Sequence, residues 1–372
     1  MLEEPFRTTE EVTTEMAIRA RRSSRGLVVR RGAQIVLAAV VVIGIYAFGL
    51  PRIAEFSDVW FAIRQMTWLE VTTLTILAFW NLFTYWLVEV ASFPGLNYWQ
   101  AMKVVSTSTA IANTMPGGGA FGLATTTAMY RSYGFTNSQI ASCIVTQGAW
   151  NNFVKLGMPV IALALLALSG TANAGLLAAS IVGVALLVFA IVLFTLTLRS
   201  ERTARAVARR AGRIVASVRG MFGRARDGDT VADGILRFRS ETRQLVKARW
   251  LRLTGTVLVS HVSLYLLLLV ALRHVGVGES AVGWIEALAA FAFVRLISAL
   301  PITPGGVGVV ELGLTAALVA AGGPDAGVIA AVLVFRALSY LLPIAFGGIT
   351  YIYWRKGATR RRARLELKGA QS

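Results

Sequence analysis

Cysteine is nearly absent from the 372-residue sequence, with Cys143 the single copy. No intrachain disulfide is possible, and no CxxC or Cys/His metal pattern exists. The only histidines are His261 and His274, too far apart in sequence to form a helical pair of zinc ligands. Charge is scarce as well, at 15% of residues against 56% apolar, where a soluble domain is nearer a quarter charged. Acidic residues are the scarcer sign: 19 Asp plus Glu face 37 Lys plus Arg, for a net charge of +18. Such an excess points to nucleic acid or to an anionic membrane. The mean hydropathy of +0.64 decides for the membrane, since a nucleic-acid binder has no use for long uncharged stretches. There is no evident cleavable signal peptide, because the first 32 residues are polar.

What is present is a series of apolar runs. A membrane helix needs about 20 mostly apolar residues. Runs at 33–50, 68–91, 138–168, 175–198, 250–272 and 326–353 predict six crossings. Two further apolar stretches, 100–131 and 281–321, are broken in the middle. Pro116-Gly117-Gly118-Gly119 interrupts the first, and Pro301-Ile302-Thr303-Pro304-Gly305-Gly306 the second. Proline removes an amide donor and clashes with the preceding turn, and glycine costs helix entropy. Each arm is short for a full crossing, so the expectation is two re-entrant hairpins. Irregular backbone at membrane depth has to be covered by protein or line a wet cavity.

Lys and Arg beside the runs set the orientation. Segments 1–32, 199–249 and 355–372 hold 7, 14 and 7 of the 37 basic residues. The linkers on the other side hold only Arg52, Arg64 and Arg273. All three basic segments share one face only if there are six crossings and both broken stretches return to the face they entered. The expectation is a multi-pass protein of the cell (inner or plasma) membrane with both termini cytoplasmic. Segment 1–32 is a cytoplasmic N-terminal segment, 33–353 a transmembrane domain holding a basic cytoplasmic loop at 199–249, and 354–372 a basic cytoplasmic tail. The fold class is all-α. The triplet 68–91, 100–131, 138–168 and the triplet 250–272, 281–321, 326–353 have the same order and opposite orientation, an inverted repeat as in many secondary transporters.

In the 199–249 loop, Arg202, Arg205, Arg209 and Arg213 recur at helical spacing beside Val207, Ile214, Val218 and Met221. They suit either a basic amphipathic helix on anionic lipid or a solvated linker that fixes topology. Asp227-Gly228-Asp229 superficially resembles a DxD metal motif, but a Gly-rich bend accounts for it. Gly117-Gly118-Gly119-Ala120-Phe121-Gly122 formally fits GxGxxG, yet it follows an apolar helix instead of a strand. No P-loop, serine triad, paired carboxylates or HExxH is present.

Charge inside the apolar runs remains. A charged side chain at the bilayer centre costs about 2.5–3.5 kcal/mol on insertion scales, so it needs a partner or a function. Glu89, Lys103 and Arg131 are read as interfacial and able to snorkel. Gln147, Asn151 and Lys155 are spaced by four and share one helix face, which should look inward. Arg295 lies in the first arm of the second hairpin, Glu311 just inside its second arm, and Arg336 mid-span with Tyr340 one turn on. Either Glu311 pairs with Arg336 or Arg295 to pin the hairpin, or these groups line a polar cavity for a headgroup. Half-helices starting near Gly119 and Gly308 present free amides and a positive dipole end, which with Lys155, Arg295 and Arg336 suit an anion.

The run Pro304-Gly305-Gly306-Val307-Gly308-Val309-Val310-Glu311, set between two apolar arms, resembles the signature of the lysylphosphatidylglycerol synthase transmembrane-region family. Pro116-Gly117-Gly118, the Gln147-to-Lys155 stripe and Pro159 extend the resemblance over about 33–353. It implies a flippase-like protein, since in bifunctional members this region is associated with moving a modified phospholipid between leaflets. The residues after 354 are too few for the aminoacyl-transferase domain of those members, so no synthase is expected.

The combined expectation is a membrane protein that translocates a phospholipid or lipid-linked anionic molecule. Its partners are membrane lipids with anionic headgroups and not nucleic acid, and it uses no cofactor or metal. Lys155, Asn151, Gln147, Arg295, Glu311, Arg336 and Tyr340 would meet the substrate. Pro116, Gly117, Gly118, Gly119, Pro304, Gly305, Gly306 and Gly308 would form the hairpin backbone. The alternatives are a membrane-embedded glycosyl- or acyl-transferase and a non-catalytic scaffold in cell-envelope lipid metabolism.

Overall fold

The computed structural model describes residues 56–115, 118–169, 174–199, 228–298 and 303–369. Run 33–50, arginines 202–213, Asp227, Pro116 and Gly117 lie outside these residues. The described residues form only helices and turns. In chain order they are α1 (Phe56–Arg64), α2 (Trp68–Ser92), α3 (Tyr98–Thr114), α4 (Gly118–Ser132), α5 (Asn137–Leu168) and α6 (Ala174–Arg199). Then follow α7 (Gly228–His274), α8 (Trp284–Ile297), a 3₁₀ turn (Pro304–Gly306), α9 (Val309–Ala320), α10 (Asp325–Arg336), a π turn (Ala337–Leu341) and α11 (Leu342–Gly369).

Helix starts follow local chemistry. Thr67, Asn97 and Thr136 cap α2, α3 and α5, each in a reciprocal box with Glu70, Gln100 or Gln139 three residues on. Four stretches are long and apolar enough to cross a membrane: Trp68–Ser92, Asn137–Leu168, Arg237–His274 and Asp325–Lys356. Each contains a predicted crossing. The predicted crossing 175–198 falls on α6, which exposes Ile181, Val182, Phe189 and Leu193 as a lipid-facing surface would.

Two boundaries differ from the expectation. The stretch 228–249 is not loop but the first half of α7, continuous with the crossing. It packs on the start of α5, where Ser142 Oγ and Thr242 Oγ1 are 2.8 Å apart and both buried. The tail after 354 is likewise the continuation of α11. The last crossing is not a regular helix: Pro343 lacks an amide proton and crowds the carbonyl four residues back, and the π turn absorbs the misfit.

Both broken stretches double back on themselves. In the first, α3 packs on α4 so closely that a Cβ on Gly118 would run into Ala112 O, while one on Gly122 would lie 3.0 Å from Ser108 O. Rising numbers in α4 meet falling numbers in α3, so the arms are antiparallel. In the second, α8 packs on α9, with a Gly313 Cβ 3.1 Å from Val294 and a Gly306 Cβ 3.8 Å from Ser298.

The long helices tie the two halves together. Helices α2 and α7 pack on each other, α11 packs along α3, and α5 packs along α8. Each hairpin's first arm therefore lies against a long helix of the other half. The larger buried cluster joins Leu74 and Ala78 of α2 with Leu267, Leu268, Phe291, Leu314, Leu318 and Phe335. A smaller one gathers Phe93, Val104, Met129, Tyr130, Ile140 and Leu245 around the base of the first hairpin.

Candidate functional site

The end of α3 meets the second break. Gly305, Gly306 and Gly308 all have positive φ (61°, 69° and 83°), conformations that exclude most side chains. The Gly305 backbone is covered by the Tyr340 ring, and a Cβ there would also stand 3.1 Å from Asn113 Oδ1 at the end of α3. Tyr340 OH donates to Asn113 O over 2.7 Å. One tyrosine on the π turn thus touches the end of α3 and the second break.

An ion pair holds this junction. Glu311 is 1% exposed. Its Oε1 accepts from Arg336 Nε at 2.8 Å, and its Oε2 accepts from the Gly308 amide at 2.7 Å. Gly308 has no side chain to return that bond, so the cap on α9 is one-sided. Arg336 also donates from Nη2 to Gly305 O at 3.3 Å, and its Cζ lies 4.4 Å from the Tyr340 ring centroid. Of the two sequence partners for Glu311, the structure selects Arg336. Gly305, Glu311, Arg336 and Tyr340 are brought together, whereas the Gly308 amide, expected to stand free for an anion, is taken by Glu311.

Lys155 and Arg295 form a separate group between α5 and α8. Arg295 is close enough for its charge to act on Lys155, His261 and Tyr85. Both cations are half-buried, and among the described residues neither has an ion pair. Arg295 Nε is buried without a partner. His261, 3% exposed, donates from Nδ1 to Val257 O at 3.0 Å, which leaves its Nε2 unpartnered. Thr303 Oγ1, just before the 3₁₀ turn, and Ser339 Oγ, beside Tyr340, are also buried and unpartnered. Buried polar atoms are bonded in the great majority of cases; of the unpartnered ones, Arg295 Nε and His261 Nε2 belong to the residues gathered around Lys155.

The Gln147, Asn151, Lys155 stripe is half-buried but divides its attention. Asn151 Nδ2 donates to Gln147 O of its own helix at 3.0 Å. Gln147 Nε2 donates to Glu89 Oε2 at 2.7 Å. Only Lys155 reaches the Arg295 group. In the first hairpin, Gly118 is buried at the start of α4 and Gly119 is exposed.

Three participants escaped the sequence reading. Asn113 has no charge to mark it and enters through its main chain. His261 looked isolated because its neighbours come from other helices. Glu89 is not a snorkelling interfacial acid: it is 5% exposed and accepts from Tyr130 OH as well as Gln147. The aromatic Trp86, Phe93 and Tyr130 around it were the available signal of burial. Arg131, by contrast, is exposed as expected and bonds Asn137.

Residues 35–347 match the family described as lysylphosphatidylglycerol synthase TM region. The chain belongs to that family. The match spans both breaks and every residue of the two groups above. No curated protein matches the chain. With the long apolar helices, membership makes this an integral, multi-pass membrane protein.

Proposed function

We propose that the protein moves a phospholipid or lipid-linked anionic molecule between leaflets, taking its headgroup past the junction of two hairpins. In this reading the hairpins are re-entrant, α3–α4 from the cytoplasm and α8–α9 from outside, beside six crossings in an inverted repeat. Exchanging the halves turns the α3–α11 packing into the α8–α5 packing and leaves the α2–α7 pair in place, as a two-fold repeat requires.

The carrying observation is the pair Lys155 and Arg295. Two neighbouring cations within an apolar bundle repel each other, and each costs about 2.5–3.5 kcal/mol at membrane depth on insertion scales. No acid of the described residues neutralises them, whereas Arg336 has Glu311. A phosphate or carboxylate headgroup supplies the missing charge, and the unpartnered Arg295 Nε supplies a donor. Arg336 and Glu311 then belong to the frame that holds the tips, and Tyr340 to the hinge between them.

The test is lipid exchange in reconstituted vesicles, read by the quenching of labelled anionic phospholipid in the outer leaflet. Arg295→Gln and Lys155→Gln should each slow exchange about tenfold, the equivalent of roughly 1.4 kcal/mol. Wild-type rates in both variants, with normal reconstitution, would remove the headgroup site.

A further inference from the structure

The acid that the transport reading leaves unused is Glu89, near the end of α2. Unlike Glu311, it has no cation bound to it among the described residues. From α4 it faces Tyr130, whose hydroxyl donates to Oε1. From α5 it faces Gln147, which donates to Oε2 at 2.7 Å, and the buried thiol of Cys143. From α7 come Glu241 and Arg249, whose charges, like that of Glu89, act on Cys143. Arg249 is engaged elsewhere: its Nη1 donates to Val90 O at 3.1 Å and Ala91 O at 3.4 Å, closing the carbonyl end of α2. Glu241 adds a second acid, with Oε2 buried and unpartnered. Helix α3, which also packs on α2, brings no ionic partner to Glu89 among the described residues.

We infer that Glu89 is a reversible proton-binding site that latches the second arm of the first hairpin to α2 and α5. Ionised, the carboxylate accepts from both Tyr130 and Gln147 and so joins three helices. A proton taken from water onto Oε1 turns that oxygen from acceptor into donor. The Tyr130 hydroxyl then has to reverse its role, and its own proton loses its acceptor. Tyr130 cannot turn to solvent, because it is 0% exposed and stacked on Phe93 at 3.9 Å between ring centroids. Proton binding therefore exchanges a buried charge for a weakened tie between α4 and α2. Since the first hairpin carries Asn113 to the junction with Gly305, loosening its second arm is a route from proton binding to headgroup passage. That last step rests on the transport reading; the proton site itself does not.

Infrared difference spectroscopy of the full chain in lipid nanodiscs separates the two. The probe is the carbonyl stretch of a protonated carboxyl, followed over roughly pH 5–9, which covers the upper tail of carboxyl values in folded proteins. The wild-type protein should show a titrating band that disappears in Glu89→Gln. Tyr130→Phe, which keeps the ring stacking, should keep the band and shift its midpoint. No titrating band in the wild type, a band unchanged in Glu89→Gln, or one lost only in Glu241→Gln would overturn the inference. Lipid exchange then tests the coupling: its pH dependence should flatten in Glu89→Gln, and an equal pH dependence in both proteins would overturn the latch. Absence of exchange in every protein would strike the transport reading alone, leaving the band to decide the proton site.

Discussion

The two hairpins share a broken backbone but are held by different forces. In the first, the two arms are held on each other by close backbone packing, and the second arm is tied to α2 by Tyr130 and Glu89. Gly118 and Gly122 let α4 lie on α3, and on α3's other side Gly347 of α11 lies so close that a Cβ would run into Ser106 O. The polar tie between α3 and α11 is neutral, with Thr107 Oγ1 3.1 Å from Thr350 Oγ1. The second hairpin is fastened by charge, through Glu311, Arg336 and three glycines of positive φ. Contact without charge tolerates no added volume, while a buried ion pair tolerates no missing partner. Among the described residues Arg336 has its acid, and Lys155 and Arg295 have none.

Breaking the charge should do the most damage. Glu311→Ala leaves Arg336 buried without its acid and should cost about 3–5 kcal/mol, read as unfolding in detergent. Glu311→Gln keeps the volume and should fall between it and wild type, because the Gly308 amide retains an acceptor. Adding volume to the first hairpin comes next. Gly118→Val should cost about 1–3 kcal/mol or more by forcing α4 off Ala112. The same substitution at Gly119, which faces open space, should cost less; equal losses would show that packing does not hold this hairpin. Smaller still is Tyr340→Phe, which keeps the ring over Arg336 and removes only the bond to Asn113. It should cost about 0.5–1.5 kcal/mol and raise the accessibility of a cysteine placed at Met115, measured by thiol labelling. Thr107→Val should be the mildest, at or below that range.

Much of the frame was readable because membrane physics writes it into composition. Apolar length gave α2, α5, α6 and the membrane halves of α7 and α11. Pro and Gly gave both helix interruptions, and Glu311 with Arg336 stood out because charge is rare in such runs. What composition does not encode is which face of a helix is covered, and by what. Glu89 was misplaced for that reason: position along α2 suggested the interface, whereas Tyr130 and Gln147 come from sequence-distant helices to bury it. The helical part of 199–249 was hidden because its charges suppress hydropathy without opposing helix formation. Gln147 and Lys155 share a helix face as their spacing required, yet four residues per step separate them by enough length to serve two different neighbours.

The most direct test is density between α5 and α8 in an experimental map of the protein in nanodiscs of anionic phospholipid. A headgroup phosphate within hydrogen-bonding reach of Lys155 Nζ and Arg295 Nε is the result this account requires. A map in which a protein carboxylate neutralises both cations, with lipid confined to the outer surface of the bundle, would contradict it.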